Sequence, residues 1–377
     1  MEYIYREITK AVERGAKYYP VVVVTGPRQS GKSTLCRHIF NDYTEYNLED
    51  AGLRDSISLD PKGFIRDCGE KVIIDEVQHM PELFSYIQIE ADEHPERRFI
   101  LTGSSNFSLM EKITQSLAGR AALFTLLPMS FREIGRLADI ATDELMLRGF
   151  YPSVITGSRP ADMFYANYYS TYVERDVRMI KNITDISQFQ KFVRLLAGRT
   201  GCEMNASQLA NETGISSPTI KAWMSVLETS YIAFLLPPYF TNLNKRLTKT
   251  PKVYFYDTGL LCYLLGIEEP GQLQVHPLRG AIFENMAVSQ LIKQRFNAGK
   301  RSNLFFYREN SGREADIVRE EPEGLYLLEV KSSSTFNKAF TDNLIYLKKL
   351  LADKVIGMKV VYDGEPIPPM TVNIRDI

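Results

Sequence analysis

The chain has 377 residues, of which 44% are hydrophobic and 24% are charged, and its formal net charge is −1. This length favours two or three domains, and this composition argues against long disordered regions. The nearly balanced charge excludes a globally basic nucleic-acid binder and leaves open a local basic face.

Four cysteines lie far apart and form no CxxC pair, so the sequence indicates neither a zinc site nor a disulfide framework. The N-terminus carries Glu2, Glu7 and Glu13 and lacks the apolar run of a signal peptide. The longest apolar stretches are too short to cross a bilayer, which takes ~20 residues. We therefore expect a soluble, cytoplasmic protein without a membrane partner.

The first third of the chain alternates strand-like and helical segments. Residues 1–17 carry Ile4, Ile8 and Val12 at helical spacing, which predicts an amphipathic helix. Continuous apolar runs follow, and such runs are typical of strands buried on both faces. This rhythm predicts an α/β domain over residues 1–145, with a parallel sheet covered by helices on both faces. The predicted strands are 21–25, 43–48, 71–76, 98–104 and 121–129.

The stretch GPRQSGKST fits the phosphate-binding pattern G-x-x-x-x-G-K-[ST] between a predicted strand and a predicted helix. Its glycines let backbone N–H groups turn toward phosphates, beside a helix N-terminus that favours negative charge. We expect Lys32 to reach the β- and γ-phosphates of ATP, and Ser33 to ligate Mg²⁺. The alternative is an ordinary glycine turn with a surface lysine. The predicted nucleotide-binding residues are Gly26, Pro27, Arg28, Gln29, Ser30, Gly31, Lys32, Ser33 and Thr34.

An acidic pair ends the strand KVIID, 43 residues after Lys32. Asp75 is predicted to hold Mg²⁺ through water, and Glu76 to act as the base for a hydrolytic water. Two acidic residues at a strand end are the plainer alternative.

The next predicted strand, RFILTGS, ends in small polar residues that could sense the γ-phosphate. Ser104, Ser105 and Asn106 are all candidates, and the sequence does not choose among them. Arg120 in LAGR is a further candidate, as an arginine finger or sensor, or else as a surface arginine before a strand.

A helical region follows Ser130, and residues 146–248 are predicted to form a helical and winged-helix domain. In SQLANETGISSPTIKAWMSVLE, the positions of Ala210, Gly214 and Ile220 fit a helix-turn-helix. Ser216, Ser217, Thr219 and Lys221 would then face a DNA groove. The alternative is a packing or nucleotide-sensing module. The basic stretch 242–252 could be a wing that touches phosphates or a solvated hairpin.

The C-terminal region 249–377 carries a charged pattern inside apolar strands. Asp316 precedes Glu329 by 13 residues, and Glu329 shares one strand face with Lys331. Glu284 in GAIFEN is well placed to add a helical carboxylate. This pattern is similar to the PD-(D/E)xK nuclease centre, in which carboxylates such as Asp316, Glu329 and Glu284 hold Mg²⁺ and a lysine such as Lys331 acts on the attacking water. A cross-strand salt-bridge set is the alternative. Asp257 in FYDTGL is predicted to cap a helix.

The runs GPRQSGKST, IIDEVQ, LTGSS, LAGR and LPMSFRE resemble the AAA-type ATPases of a prokaryotic family with a GPRQxGKT loop and a second region called DUF4143. The runs YVERDV, VYFYDTGL, GAIFEN, EADIV and LLEVKSS resemble that second region, so the resemblance spans nearly the whole chain. It implies an ATP-binding core, a helix-turn-helix and a restriction-endonuclease-like α/β tail.

The sequence supports three hypotheses of function. The first is an Mg²⁺-dependent ATPase whose nucleotide state controls a C-terminal DNA-processing or binding module. The second is an ATP-gated, Mg²⁺-dependent DNA nuclease. The third is a non-catalytic, ATP-regulated interaction protein whose partner is DNA, another protein or a second copy of the chain.

Overall fold

The structure is a computed structural model that describes residues 3–104, 116–177, 185–240, 250–309 and 312–377, without the side chains of 136, 138 and 174–177. The chain divides into two compact units. The first contains Met1–Met129, Thr229–Tyr231 and Phe296–Lys300. The second contains Ser130–Glu228, Ile232–Arg295 and Arg301–Ile377.

The first unit contains a five-stranded parallel sheet, as the sequence predicts. Its spatial order is β2-β3-β4-β1-β5, and every neighbouring pair is parallel. All five strands start within one residue of their predicted starts. They are β1 (Val21–Gly26), β2 (Thr44–Asn47), β3 (Lys71–Asp75), β4 (Arg98–Ser104) and β5 (Ala121–Thr125).

Helices cover both faces of this sheet, which confirms the predicted layers. Apolar side chains of α1 and α2 pack on one face, and those of α3, α4 and α5 pack on the other. Alternate residues of β1 belong to the two cores, because successive strand side chains point to opposite faces. The helices are α1 (Thr9–Tyr18), α2 (Lys32–Ile39), α3 (Ala51–Leu59), α4 (Pro61–Asp67) and α5 (Leu83–Glu93).

The N-terminal helix is shorter than predicted. It begins at Thr9, and the expectation of a helix from the first residues is wrong for 3–8. Ile8 and Val12 are fully buried, as their spacing predicts. The buried Arg6 side chain donates to backbone carbonyls elsewhere in the unit, and these contacts hold the segment before Thr9 out of the helix.

The second unit begins with short helices. The Ser130 side chain and Glu133 form a capping box that starts the first of them. The predicted break at GFYP is confirmed, because Gly149 has a φ of +66° and follows the end of a helix. The helices are α6 (Phe131–Ile134), α7 (Thr142–Arg148), α8 (Pro152–Ile155) and α9 (Ala161–Tyr168), with a π-helical stretch over Tyr169–Val177.

Two helices form the predicted helix-turn-helix pair. Helix α11 (Ala206–Thr213) ends at Gly214, whose φ of +77° makes the turn, and α12 (Ser217–Thr229) follows. Ile220 is fully buried. Helix α10 (Ile186–Ala197) packs aromatic rings against Trp223 of α12. The strands β6 (Ala233–Leu236) and β7 (Lys252–Phe255) then pair antiparallel. Residues 241–249, most of the proposed wing, lie outside the described residues, so a winged helix stays a prediction.

The C-terminal part of the second unit contains a mixed five-stranded sheet of order β12-β11-β10-β9-β8. Strands β8, β9 and β10 pair antiparallel, and β10, β11 and β12 pair parallel. The predicted hairpin between β9 and β10 is confirmed. The elements are α13 (Thr258–Leu264), α14 (Pro270–Val275), α15 (Arg279–Asn297), β8 (Leu304–Arg308), β9 (Glu314–Glu321), β10 (Gly324–Lys331), α16 (Asp342–Leu351), β11 (Val355–Tyr362) and β12 (Thr371–Asn373).

The division into units differs from the three predicted domains. The first unit ends at Met129 instead of 145, and residues of the predicted second and third domains fall into one unit. Backbone bonds explain this, because Tyr239 N donates to Phe306 O and Phe306 N donates to Pro237 O across the predicted boundary at 248. Within the described ranges, no helix is both long and apolar enough to cross a membrane.

Candidate functional site

The loop after β1 has the backbone that phosphate binding needs. Gly26, Gln29 and Gly31 have φ values of +141°, +61° and +96°, so the chain curls between β1 and the first turn of α2. At Gly26 a Cβ atom would lie 2.2 Å from the carbonyl oxygen of Leu126, so a side chain there would collide with backbone. The predicted strand, loop and helix are therefore present in order, with Gly31 as the N-cap of α2.

Lys32 is buried at the start of α2, and its ammonium group lies against the loop. Its Nζ donates to the carbonyl oxygens of Gly26 and Pro27 at 3.2 and 3.0 Å. Burial lowers the pKa of Lys32, while the charges of Glu76 and Asp75 act in the opposite direction. A buried cation beside curled backbone attracts anions, so this arrangement suits the phosphates of a nucleotide.

Ser33 and Asp75 meet at the carboxyl edge of the sheet. The Ser33 hydroxyl donates to both carboxylate oxygens of Asp75, at 3.0 and 2.8 Å. Thr102 of β4, which the sequence interpretation did not single out, also donates to Asp75. Hydroxyl and carboxylate oxygens are the donors that Mg²⁺ prefers, so these residues fit a magnesium ion. The feature of the sequence that could have identified Thr102 as a site residue is the polar threonine inside the apolar run RFILTGS.

Glu76 follows Asp75 in a left-handed backbone conformation, with φ of +55° and ψ of +45°. Such a conformation is costly for a residue with a side chain and often accompanies function. Gln78 donates to one carboxylate oxygen of Glu76, and the same amide donates to the Ser104 hydroxyl at 3.1 Å. Burial alone would raise the pKa of Glu76, but Lys32, Gln78 and Ser104 together lower it. The carboxylate is therefore held in its ionised form.

The four predicted sensor or finger positions have different outcomes. Ser104 lies directly opposite Gly26 in the sheet register, so it is at the edge where the phosphate loop begins. Ser105 and Asn106 lie outside the described residues. Arg120 precedes β5 at the opposite, amino-terminal edge of the parallel sheet, and its Nη2 lies 2.8 Å from Asp92 Oδ2. A sensor role for Arg120 at the loop of its own chain is therefore wrong, and a finger toward another subunit stays a prediction.

Arg6 is a second residue that sequence reasoning missed. The residue is 3% exposed, and its guanidinium group donates to Ser30 O and Leu127 O, both at 2.7 Å. It thereby joins the phosphate loop to the segment after β5. Nothing in the local pattern around Arg6 marks it as buried, because both acceptors are backbone atoms distant in sequence.

In the second unit, the predicted residues on β9, β10 and α15 meet around a set of four carboxylates. We call this set the acidic centre: Glu284, Glu314, Asp316 and Glu329, with the lysines Lys252 and Lys331. Glu329 and Lys331 do share a strand face, because Lys331 Nζ lies 2.7 Å from Glu329 Oε1. Asp316 Oδ2 accepts from Val330 N at 2.7 Å.

Lys252 and Glu314 are the members of the acidic centre that the sequence interpretation missed. Lys252 Nζ lies 2.5 Å from Glu314 Oε1 and 3.2 Å from Glu284 Oε1. Tyr254 donates to the same Glu284 oxygen. Both predicted alternatives for the stretch 242–252 are therefore wrong at Lys252, which is neither at a phosphate-facing surface nor solvated. The signal was a lysine that opens the apolar strand KVYF.

Burial raises the pKa of Asp316 well above its usual range, and the charges of Glu284 and Glu329 add to this effect. Burial also raises the pKa of Glu329, against the effect of Lys331. The pKa of Lys252 is raised because the attraction of Glu284, Glu314 and Asp316 exceeds the cost of burial. Lys252 is therefore firmly cationic.

The predicted role of Glu284, Asp316 and Glu329 as Mg²⁺ ligands stays a prediction, and their side chains have other partners in the structure. Among the residues that the structure describes, no group of three or more His, Cys, Asp or Glu side chains is arranged to hold a metal ion. Three of the four carboxylates are bonded to an ammonium group, and the fourth, Asp316, accepts from a backbone N–H. Glu329 Oε2 is buried and has no hydrogen-bond partner.

The helix-turn-helix places its proposed DNA-facing residues on one exposed end. Ser216 caps α12 by accepting from Thr219 N at 3.2 Å, and Lys221 is exposed. Trp223 is buried against Phe189 and Phe192, which makes it a core residue. Asp257 caps α13 by accepting from Leu260 N, which confirms the predicted cap.

Family models match three successive parts of the chain. One described as an AAA domain matches residues 18–135. Two others, described as domains of unknown function, match 139–271 (DUF8612) and 279–374 (DUF4143). The AAA match covers the phosphate loop, Asp75 and Glu76, and it suggests nucleotide binding and ATPase activity.

Similar proteins extend along most of the chain. An uncharacterized protein of Mycobacterium tuberculosis is 28% identical over 372 residues, which cover 97% of this chain and 81% of that protein. One of Methanocaldococcus jannaschii is 22% identical over 394 residues, covering 94% and 85%. Among solved structures, a Walker-type ATPase of Pyrococcus abyssi is 16% identical with a TM-score of 0.47, covering 68% of this chain and 94% of that one.

A further solved structure, AMPPCP-bound DnaA from Aquifex aeolicus, is 14% identical with a TM-score of 0.32, and covers 59% of this chain and 85% of that one. The assignment rests on the family models and on the geometry of the loop, where a buried lysine and curled backbone lie beside the Ser33–Asp75 pair. Together, the AAA match over residues 18–135 and the DUF4143 match over residues 279–374 support a P-loop AAA-type ATPase with a C-terminal DUF4143 region.

Proposed function

We propose that the chain binds Mg²⁺-ATP at residues 26–34 and hydrolyses it, and that its nucleotide state controls the second unit. The contact of Ser33 with both oxygens of Asp75 carries this proposal, because it brings together the two side chains that would hold the ion. When bound, Mg²⁺ would neutralise charge on the phosphates.

Each step of this proposal is assigned to a residue of the chain. Lys32 moves from the loop carbonyls to the β- and γ-phosphates, which offer a full negative charge in place of two dipoles. Glu76 accepts a proton from the attacking water at its carboxylate, which its lowered pKa keeps ionised. Gln78 and the N–H of Ser104 orient that carboxylate.

Nucleotide binding and turnover by matched variants test the proposal. Lys32→Ala should weaken ATP binding at least tenfold, while Lys62→Ala, an exposed lysine on α4, should bind as the wild type does. Glu76→Gln should keep ATP affinity and lose turnover by about 10²- to 10⁴-fold, the usual contribution of a general base. The exposed Glu82→Gln is its control. Unchanged affinity in Lys32→Ala would remove the assigned site.

We propose binding of DNA or of a protein partner, without cleavage, as the output of the second unit. The pairing of its carboxylates with Lys252 and Lys331 supports this choice. Amide exchange over 314–331, measured with and without a non-hydrolysable ATP analogue, tests the control step, and identical exchange rejects it. A DNA mobility shift that weakens with salt supports DNA as the partner. Absence of a shift points to a protein.

A metal-dependent nuclease is the rival proposal, favoured by the meeting of Asp316, Glu329 and Lys331 and by the partnerless oxygen of Glu329. Plasmid and linear DNA, incubated with Mg²⁺ or Mn²⁺ and with or without ATP, test it. Cleavage that disappears in Asp316→Ala and in Lys331→Ala would establish this rival. Cleavage that survives both substitutions rejects the centre as its source.

A further inference from the structure

The acidic centre contains a buried cation, Lys252, that has no role in the proposed binding and hydrolysis of ATP at the phosphate loop. Lys252 lies at the start of β7, and its side chain is 5% exposed. Its ammonium group contacts Glu314 of β9 and Glu284 of α15. Three separate elements of the second unit therefore converge on one nitrogen atom.

An aromatic ring also lies beside the ammonium group of Lys252. Lys252 Nζ lies 5.3 Å from the centroid of the Phe306 ring on β8, a geometry that attracts a cation to the ring face. The ammonium group is thus held between carboxylates and a ring. The Lys252 side chain is 5% exposed, whereas that of Lys331 is 35% exposed.

Each of the four carboxylates in the acidic centre has one oxygen that is engaged by a donor other than Lys252. Tyr254 donates to Glu284, and Val330 N donates to Asp316 at 2.7 Å. Lys331 lies 2.7 Å from Glu329, and Arg308 lies 3.7 Å from the second oxygen of Glu314. A metal ion in this space would have to compete with each of these donors.

We propose that the Lys252 ammonium group takes the place of a divalent cation in the acidic centre, so that its carboxylates are held together without a metal ion. A metal ion and this ammonium group would both have to occupy the space between Glu284 and Glu314. A divalent cation and an ammonium group this close together repel one another strongly, because the buried surroundings screen their charges poorly. Lys252 therefore excludes divalent cations while it stays in place.

This role of Lys252 does not depend on ATP hydrolysis at the phosphate loop. It would make the Asp-Glu-Lys pattern of β9 and β10 a structural feature. Four carboxylates without an inner cation would repel one another, so Lys252 holds α15, β7 and β9 in contact. The same carboxylates become a cation site once the lysine is removed. Divalent-cation binding by lysine variants is the measurable consequence.

The experiment measures Mn²⁺ binding to the full-length, nucleotide-free chain by calorimetry and by electron paramagnetic resonance. The wild type and Asp316→Asn should bind Mn²⁺ equally, since the centre holds no ion in either. Lys252→Met, which keeps the unbranched stem of the side chain and removes the ammonium group, should gain one site that binds Mn²⁺ at least tenfold more tightly than the wild type does. That site should disappear in Lys252→Met combined with Asp316→Asn.

Two controls separate loss of the charge from the substitution itself. Lys252→Arg keeps a cation and should bind Mn²⁺ as the wild type does. Lys221→Met makes the same exchange at an exposed position and should change nothing. Mn²⁺ should raise the melting temperature of Lys252→Met and leave that of the wild type unchanged.

Two results would overturn the proposal. One is a folded Lys252→Met that gains no Mn²⁺ site. The other is Mn²⁺ binding by the wild type that Asp316→Asn abolishes. This second comparison does not use Lys252→Met, so it decides the matter even where that variant does not fold. All of these measurements are made without nucleotide, so their outcome is separate from that of the ATPase tests.

Discussion

Replacement of Arg6 by methionine tests whether the segment before α1 supports the phosphate loop. The guanidinium group is buried, and it donates to Ser30 O in the loop and to Leu127 O after β5, each at 2.7 Å. Methionine keeps most of the apolar stem and removes every donor. Two backbone carbonyls then lose a charged hydrogen-bond donor in a buried place.

The expected magnitude follows from these two bonds. A hydrogen bond to a charged group contributes ~1.5–3 kcal/mol, so loss of both should destabilise the first unit by about 3 kcal/mol or more. For a domain of this size that corresponds to a melting temperature lower by roughly 6–12 °C. The bond to Ser30 alone, at ~1.5 kcal/mol, corresponds to about tenfold weaker nucleotide binding, since 1.4 kcal/mol is a factor of ten.

The assay is a titration with a fluorescent ATP analogue, together with thermal melting and amide exchange over residues 26–34. Arg14→Met, the same exchange at an exposed position of α1, is the matched control and should resemble the wild type. The reasoning is refuted if Arg6→Met binds nucleotide as tightly as the wild type does and has the same melting temperature. Lower stability with unchanged affinity would limit Arg6 to holding the fold.

Three further predictions concern stability. Gly26→Ala should abolish ATP binding and reduce soluble yield, because the new Cβ would lie 2.2 Å from Leu126 O. Its control is Gly69→Ala, where φ is +109° and the space is open, so the substitution should cost only the backbone strain of ~1–3 kcal/mol. Asp257→Ala should lower stability by about 3 kcal/mol or more in chemical denaturation, because three buried donors lose their acceptor at ~1–3 kcal/mol each, and the asparagine variant should lose less. Burial raises the pKa of Glu228, so the folded chain keeps that proton to higher pH than the unfolded chain, and stability is lost as pH rises. Glu228→Gln should therefore melt above the wild type at pH 7 and lose this advantage below the ordinary pKa of 4.5; an advantage that is constant with pH contradicts the burial argument.

The predictable parts of the molecule are those with local signals. The five strands of the first sheet are short apolar runs between turn residues, and a strand buried on both faces needs such a run. The phosphate loop has fixed spacing, since Gly26, Gly31 and Lys32 each serve a backbone or charge requirement of one short segment. The hairpin of β9 and β10 and the shared face of Glu329 and Lys331 follow from alternation along a strand.

The parts that escaped prediction depend on contacts between distant residues. Arg6 looks like a surface residue of an amphipathic helix until Ser30 and Leu127 supply its acceptors. Lys252 ends a basic stretch that reads as a solvated hairpin, and only Glu284 and Glu314 make its burial possible. No periodicity or motif encodes such pairs, because their partners come from other elements of the fold.

The two charged centres of the chain should respond to divalent cations in opposite ways. At the phosphate loop, the Lys32 ammonium group lies against carbonyl oxygens, and the Ser33 hydroxyl is the donor that faces Asp75. A hydroxyl turns to offer its lone pairs to Mg²⁺, so the pair can open without moving a charge. In the acidic centre, Lys252 is itself the inner cation.

Entry of a metal ion there would require a buried ammonium group to leave its carboxylates, which costs several kcal/mol unless a new partner replaces them. Mg²⁺ added together with ATP should therefore act through the first unit. The structure of the acidic centre should change only when Lys252 changes its position. A Mg²⁺ effect on amide exchange over 314–331 that requires ATP agrees with this order of events. The same effect without nucleotide, abolished by Asp316→Asn, would place the ion in the acidic centre and reverse the assignment.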